Sequence, residues 1–146
     1  INKAFPNSKI VNVRRDPMAV VWSNYKHYFS SKELNFTNNF DDIIEFYKKY
    51  ESLMNFWKLN IDQEIYDVDY EQLTVNPDYE ISKLLKFCGL EREDSCLSFY
   101  NQDGLVQTAS RAQVRKPIYQ GSSSEWKKYS RHLELVEAKV KSSLAS

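Results

Sequence analysis

The sequence predicts an α/β fold with few parallel strands and a predominantly helical remainder. Three observations point to it. There are two short β-branched runs, KIVNVR at Lys9–Arg14 and EIYDVDY at Glu64–Tyr70; a long stretch of helical periodicity separates them; and two helix starts carry a capping residue followed by proline, Asp16-Pro17 and Asn76-Pro77. The order strand, helix, helix, strand, helix suits an α/β layer with parallel strands. With 146 residues, 42% of them hydrophobic and 14% aromatic, residues 1–146 have the size of one domain and enough apolar side chain for a single core.

Each element follows from local chemistry. Lys9–Arg14 comes after a Pro6-Asn7 turn, and its β-branched members suit a buried parallel strand. Asp16 can cap free amides and Pro17 fits the first helical position, so a helix should run from there to about Phe29. The polar stretch SSKELNFTNN, Ser30–Asn39, reads as a loop. From Phe40 to about Asn60, apolar residues recur at threes and fours (Ile43, Ile44, Tyr47, Tyr50, Met54, Trp57), the spacing of one helical face. Glu64–Tyr70 alternates as a strand does, Asn76-Pro77 opens a helix through Phe87, and Cys88-Gly89 closes it. A short helix near Asp94–Tyr100, an irregular stretch from Asn101 to Gly121 and helical segments at Ser123–Tyr129 and Leu133–Leu144 complete the chain. Two strands do not make a stable sheet alone, so an upstream segment or a partner chain, as in a dimer, is expected to complete it. Ile1, an opening residue other than Met, fits the same expectation of a partial domain.

Composition narrows the function. Twenty basic residues balance twenty acidic ones, which argues against a nucleic-acid binder held by a broad positive field. No apolar run approaches the ~20 residues of a membrane helix. Cys88 and Cys96 have neither CxxC spacing nor neighbouring histidines, so they read as free thiols and no metal site is expected.

The informative stretch is VRRDPMAVVWSNYKH, Val13–His27, where a strand ends in Arg14-Arg15 and feeds a capped helix. Open α/β sheets bind ligands at such strand ends. An arginine there can grip phosphate, and a helix N-terminus adds oriented amides. Ser23 and His27, four apart, share one helical face and with Arg15 can line one anion pocket. The same residues are also compatible with a surface arginine pair and an ordinary mid-helix serine, and spacing alone does not favour the phosphate site over them.

Arg15 and Ser23 in the setting RDPxxVxxS resemble the 3′-phosphate signature of sulfotransferases that use PAPS, the adenosine-based sulfate donor. Asp69-Tyr70-Glu71-Gln72-Leu73, Asn76-Pro77 and LLKFCGL at Leu84–Leu90 continue the family's order. TASRAQVRKPIYQGSSSEWKKY, Thr108–Tyr129, is similar to a segment of tyrosylprotein sulfotransferases and their bacterial relatives. The resemblance implies the C-terminal portion of a P-loop-like sulfotransferase fold. It implies that Arg15 and Ser23 bind the 3′-phosphate, that Tyr70 contacts the nucleotide, and that Ser110 stabilises the sulfuryl group in flight. It also implies that Gln113, Arg115, Lys116 and Tyr119 belong to a loop closing over the cofactor. His27 stands where the tyrosylprotein enzymes have arginine, and Glu125 where they have lysine, with Lys127 and Lys128 as neighbouring substitutes.

The family also holds the donor's 5′-phosphosulfate in a glycine- and serine-rich loop, as P-loops hold phosphates. None of Gly89, Gly104 and Gly121 lies in such a motif, and neither His27 nor His132 is expected to be the general base. The implied function is sulfuryl transfer from PAPS, with PAP as product, to a hydroxyl acceptor, for which a protein or peptide tyrosine is one candidate. The alternatives are a catalytically inactive nucleotide-binding or protein-interaction module of the same fold, and a helical adaptor using the Phe40–Asn60 helix.

Overall fold

The computed structural model describes residues 4–98, 100 and 117–145. Strand β1 (Ile10–Arg14) leads into helix α1 (Pro17–Lys26), a 3₁₀ segment (Lys32–Asn38) and helix α2 (Phe40–Asn60). Strand β2 (Ile65–Asp69) follows, then α3 (Tyr70–Val75), α4 (Pro77–Cys88), a 3₁₀ turn (Asp94–Cys96), a 3₁₀ helix (Ser122–Tyr129) and α5 (Ser130–Leu144). The architecture is mixed α/β and mostly helical. β1 and β2 pair in parallel, with Asn12 opposite Asp67 and Arg14 opposite Asp69.

The capping residues act as their chemistry dictates. Asp16 accepts the Ala19 N–H at 2.7 Å, and Asn39 accepts that of Asp41 at 2.8 Å. Gly89, at φ +70°, ends α4; its N–H reaches Lys86 O while Leu90 N–H reaches Leu85 O at 2.9 Å, the Schellman arrangement that favours a residue without Cβ.

Several expectations change; the helix expected near Asp94–Tyr100 is a 3₁₀ turn at Asp94–Cys96, and the last helix begins at Ser130 and not at Leu133. Helix α1 stops at Lys26 and not near Phe29: the His27 N–H bonds only to Asn24 O, the last turn tightens, and His27 is extended at φ −97°, ψ 123°. The Ser30–Asn39 loop contains 3₁₀ turns, fixed by buried Thr37, whose hydroxyl donates to Leu34 O at 2.8 Å. The second strand ends at Asp69, because that side chain caps the unforeseen helix α3 through Gln72 N–H at 2.8 Å. Strand β1 is not buried throughout, since Val13 keeps 58% of its surface exposed; a parallel strand is covered on both faces only where helices flank both.

The core lies on the helical side. Met18, Ala19 and Val21 of α1 meet Ile43 and Ile44 of α2, Trp126, and Leu133 and Val140 of α5. Of the periodic α2 face, only its first turns reach this core, and Trp57 is 42% exposed. Cys88 and Cys96 are half-buried free thiols.

Polar contacts tie the sheet to α2. Asn12 donates to Asp67 Oδ1 at 2.8 Å and accepts from the Tyr50 hydroxyl at 2.7 Å, and Lys58 pairs with Asp67. Partial burial pushes the Asp67 carboxyl up, but the hydrogen bonds from Lys58 and Asn12 outweigh it and hold the group below its ordinary value. A depressed folded pKa adds stability that is present above the ordinary aspartate range and lost as pH falls through the folded value. Asp67→Asn is therefore expected to cost about 1 kcal/mol at neutral pH, the scale of a partly exposed pair, or roughly 2–4 °C in Tm. Thermal melts in an acid series check this: the gap between the proteins should close as pH falls, and a pH-independent gap contradicts the assignment.

Candidate anion-binding site

The site forms where β1 runs into α1. Successive residues of extended chain face opposite ways, and the two arginines part accordingly. Arg14 reaches Glu51 of α2 at 3.3 Å. Arg15 turns the other way: its Nε donates to Ser123 Oγ at 3.0 Å, and its guanidinium lies 4.8 Å from the centroid of the Tyr70 ring.

That neighbourhood is stitched from three parts of the chain. Tyr70 opens α3, and its hydroxyl lies 3.1 Å from Ser122 Oγ. Glu71 accepts from the backbone N–H of Asp16 at 3.2 Å and from the Ser123 hydroxyl. Gly121, at φ +99°, turns the chain into the 3₁₀ helix that carries these serines, a backbone conformation costly for other residues.

A cavity of about 240 Å³ opens here. Five of the residues singled out from sequence line it: Arg15, Ser23, His27, Tyr70 and Tyr119. Ala19, Trp22, Ser23 and Lys26 also line it, spaced as one face of α1, so the cavity runs along the helix flank. The expected use of the α1 N-terminus is modified by Asp16, which already occupies the Ala19 amide. His27 does not share a helical face with Ser23, because α1 has ended; it lines the cavity from an extended segment, its ring 4.6 Å from that of Phe29. Ser110, Gln113, Arg115 and Lys116 lie outside the described residues.

The electrostatics are local. Arg15 and Lys26 are the permanent cations of the lining, and Glu125 is its carboxylate, paired with Lys26. The hydrogen bond from Lys26 holds the Glu125 carboxyl below its usual range, with the charges of Lys26, Lys128 and Arg15 acting in the same direction. Trp22 contributes aromatic surface to the lining. Two cations and a hydroxyl beside aromatic surface make a donor set suited to a phosphate attached to an aromatic or ribosyl body. Among the described residues, no group of three or more His, Cys, Asp or Glu side chains is placed to hold a metal ion, and no helix is long and apolar enough to cross a membrane.

Residues 1–94 match the model of the sulfotransferase family, a region that includes Arg15, Ser23, Lys26, His27 and Tyr70. The chain belongs to the sulfotransferase family. An uncharacterized protein of Aquifex aeolicus (strain VF5) is 35% identical over 134 residues, which is 90% of this chain and 18% of that relative. The sulfotransferase chain thus spans less than a fifth of the relative's length. Its mixed α/β layout with a two-stranded parallel sheet is consistent with the sulfotransferase fold.

Sequence reasoning missed Lys26, Trp22 and Ser122 as lining residues of the cavity. Lys26 had a readable signal, standing three residues after Ser23 on the same helix face. Ser122 had none, since its place depends on a pairing with Tyr70 across 52 residues.

Proposed function

We propose that this chain supplies the part of a PAPS-dependent sulfotransferase that holds the 3′-phosphate and adenosine of the donor. The complete protein transfers the sulfuryl group to a hydroxyl, and the similarity to tyrosylprotein sulfotransferases makes a protein tyrosine the first acceptor to try. The observation that carries the reading is the convergence of Arg15, Ser23, Lys26 and Tyr70 on one cavity at the end of a parallel strand.

On this reading Arg15 and Ser23 bind the 3′-phosphate, one by charge and one by a hydroxyl donor. Tyr70 orients the nucleotide from the start of α3 and holds the guanidinium of Arg15 over its ring. His27 and Tyr119 supply further polar edges to the same cavity. Gln113, Arg115 and Lys116 close over the donor, and Ser110 donates to the sulfuryl oxygens as charge builds on them. The donor brings the reactive group; the protein positions it and stabilises charge.

Titration of the complete protein with PAP, followed by turnover assays with PAPS and a tyrosine peptide, tests the reading. Binding with turnover is the expected result, binding without turnover favours an inactive nucleotide-binding module, and no binding removes the proposal. Ser110→Ala should lower kcat about 100-fold, the scale of a lost transition-state donor, while leaving PAP affinity nearly unchanged. Equal losses in kcat and PAP affinity contradict that role.

A further inference from the structure

We infer that Glu125 is an internal counter-ion of the cavity, which a 3′-phosphate must displace from Lys26, and that it sets how tightly the site takes a dianion. The inference rests on the proposed reading of the cavity as a 3′-phosphate site.

The two cations of the lining are not in equivalent states. Arg15 contacts the hydroxyl of Ser123, which itself donates to Glu71, and the face of Tyr70, so among the described residues it has no directly paired carboxylate. Lys26 is paired with the Glu125 carboxylate, which lines the same cavity. An incoming phosphate therefore meets one available cation and one that already has an anion.

That pair can be exchanged. Both side chains are 41% exposed, and ion pairs so open to water are weak, so a dianion with two or more acceptor oxygens competes well for Lys26. The backbone that carries the glutamate is held in place. Its neighbour Trp126 is fixed in the core at 8% exposure, and Ser122 and Ser123 of the same 3₁₀ helix are bonded to Tyr70, Arg15 and Glu71. The displaced carboxylate stays near the phosphate and repels it. An isosteric glutamine keeps the shape of the side chain, can still accept from Lys26, and removes the repulsion.

Titration calorimetry of the complete protein with PAP and with AMP, which lacks the 3′-phosphate, reads this directly. Glu125→Gln is expected to tighten PAP about five- to tenfold, the effect of removing one partly screened charge near the ligand, and to leave AMP within about twofold. Lys26→Met should weaken PAP more in the Glu125→Gln background than in the natural protein, because there the ligand's gain from Lys26 is not offset by the loss of an ion pair with Glu125. PAP binding that is unchanged or weaker in Glu125→Gln, or AMP binding tightened as much as PAP, overturns the counter-ion role while leaving the phosphate site intact. Absence of PAP binding to every one of these proteins takes away the phosphate site and the role of Glu125 together.

Discussion

Arg15→Ala is expected to weaken PAP binding at least about tenfold, since a hydrogen bond to a charged group contributes roughly 1.5–3 kcal/mol and each 1.4 kcal/mol is a factor of ten. The expectation rests on the contacts of Arg15 in the protein alone: Nε held by Ser123 at 3.0 Å and the guanidinium carbon 4.8 Å from the centroid of the Tyr70 ring. Those partners fix the direction of the remaining N–H donors before any ligand arrives, which reduces the ordering cost of binding. Arg15→Lys separates charge from geometry. It keeps a cation but loses the planar fork, and an intermediate affinity is expected because lysine does not reproduce bidentate contact. AMP serves as the control ligand, because the loss should be confined to the 3′-phosphate. Calorimetric titration of the three proteins with both nucleotides decides it, and PAP affinity of Arg15→Ala within about twofold of the natural protein would remove Arg15 from the site.

Why Arg15 and not Arg14 faces the cavity shows how far the sequence could be read. The strand, its parallel partner and the capped helix were legible because each depends on neighbours: β-branched residues in KIVNVR, the acidic cap at Asp16, the proline after it. Helix α2 was legible from Phe40 to Asn60 because the spacing of its apolar residues marks one helical face. Local signals failed where one residue serves two elements. Asp69 ends β2 and caps α3, so the start of α3 at Tyr70 was hidden in what read as strand alternation. They also failed where contacts join distant segments. The Lys26–Glu125 pair spans 99 positions, and no periodicity links its members. The core shows the same division, for the regular face of α2 was visible while the burial of Trp126 against α1 was not.

Trp126 joins the stability of the domain to the geometry of its site, and Trp126→Ala is expected to be the most destabilising of the substitutions considered. The side chain is 8% exposed and belongs to the cluster formed with Met18, Val21, Ile43 and Leu133. Truncating a buried tryptophan costs about 3–5 kcal/mol through lost burial and the cavity left behind, or roughly 8–15 °C in Tm for a chain of this size. Trp126→Phe should cost less than half as much. The indole Nε1–H is buried with no acceptor among the described residues, so phenylalanine forfeits volume without forfeiting a hydrogen bond to any of them. The site should respond in proportion, because Ser122, Ser123 and Glu125 are carried on the same 3₁₀ helix that Trp126 anchors. Measured at a temperature where the variant remains folded, PAP affinity should fall in Trp126→Ala and be largely retained in Trp126→Phe. A Tm change below about 3 °C in Trp126→Ala would show that the 3₁₀ helix is not held by this core, and would take with it the reason for expecting Glu125 to stay beside the ligand.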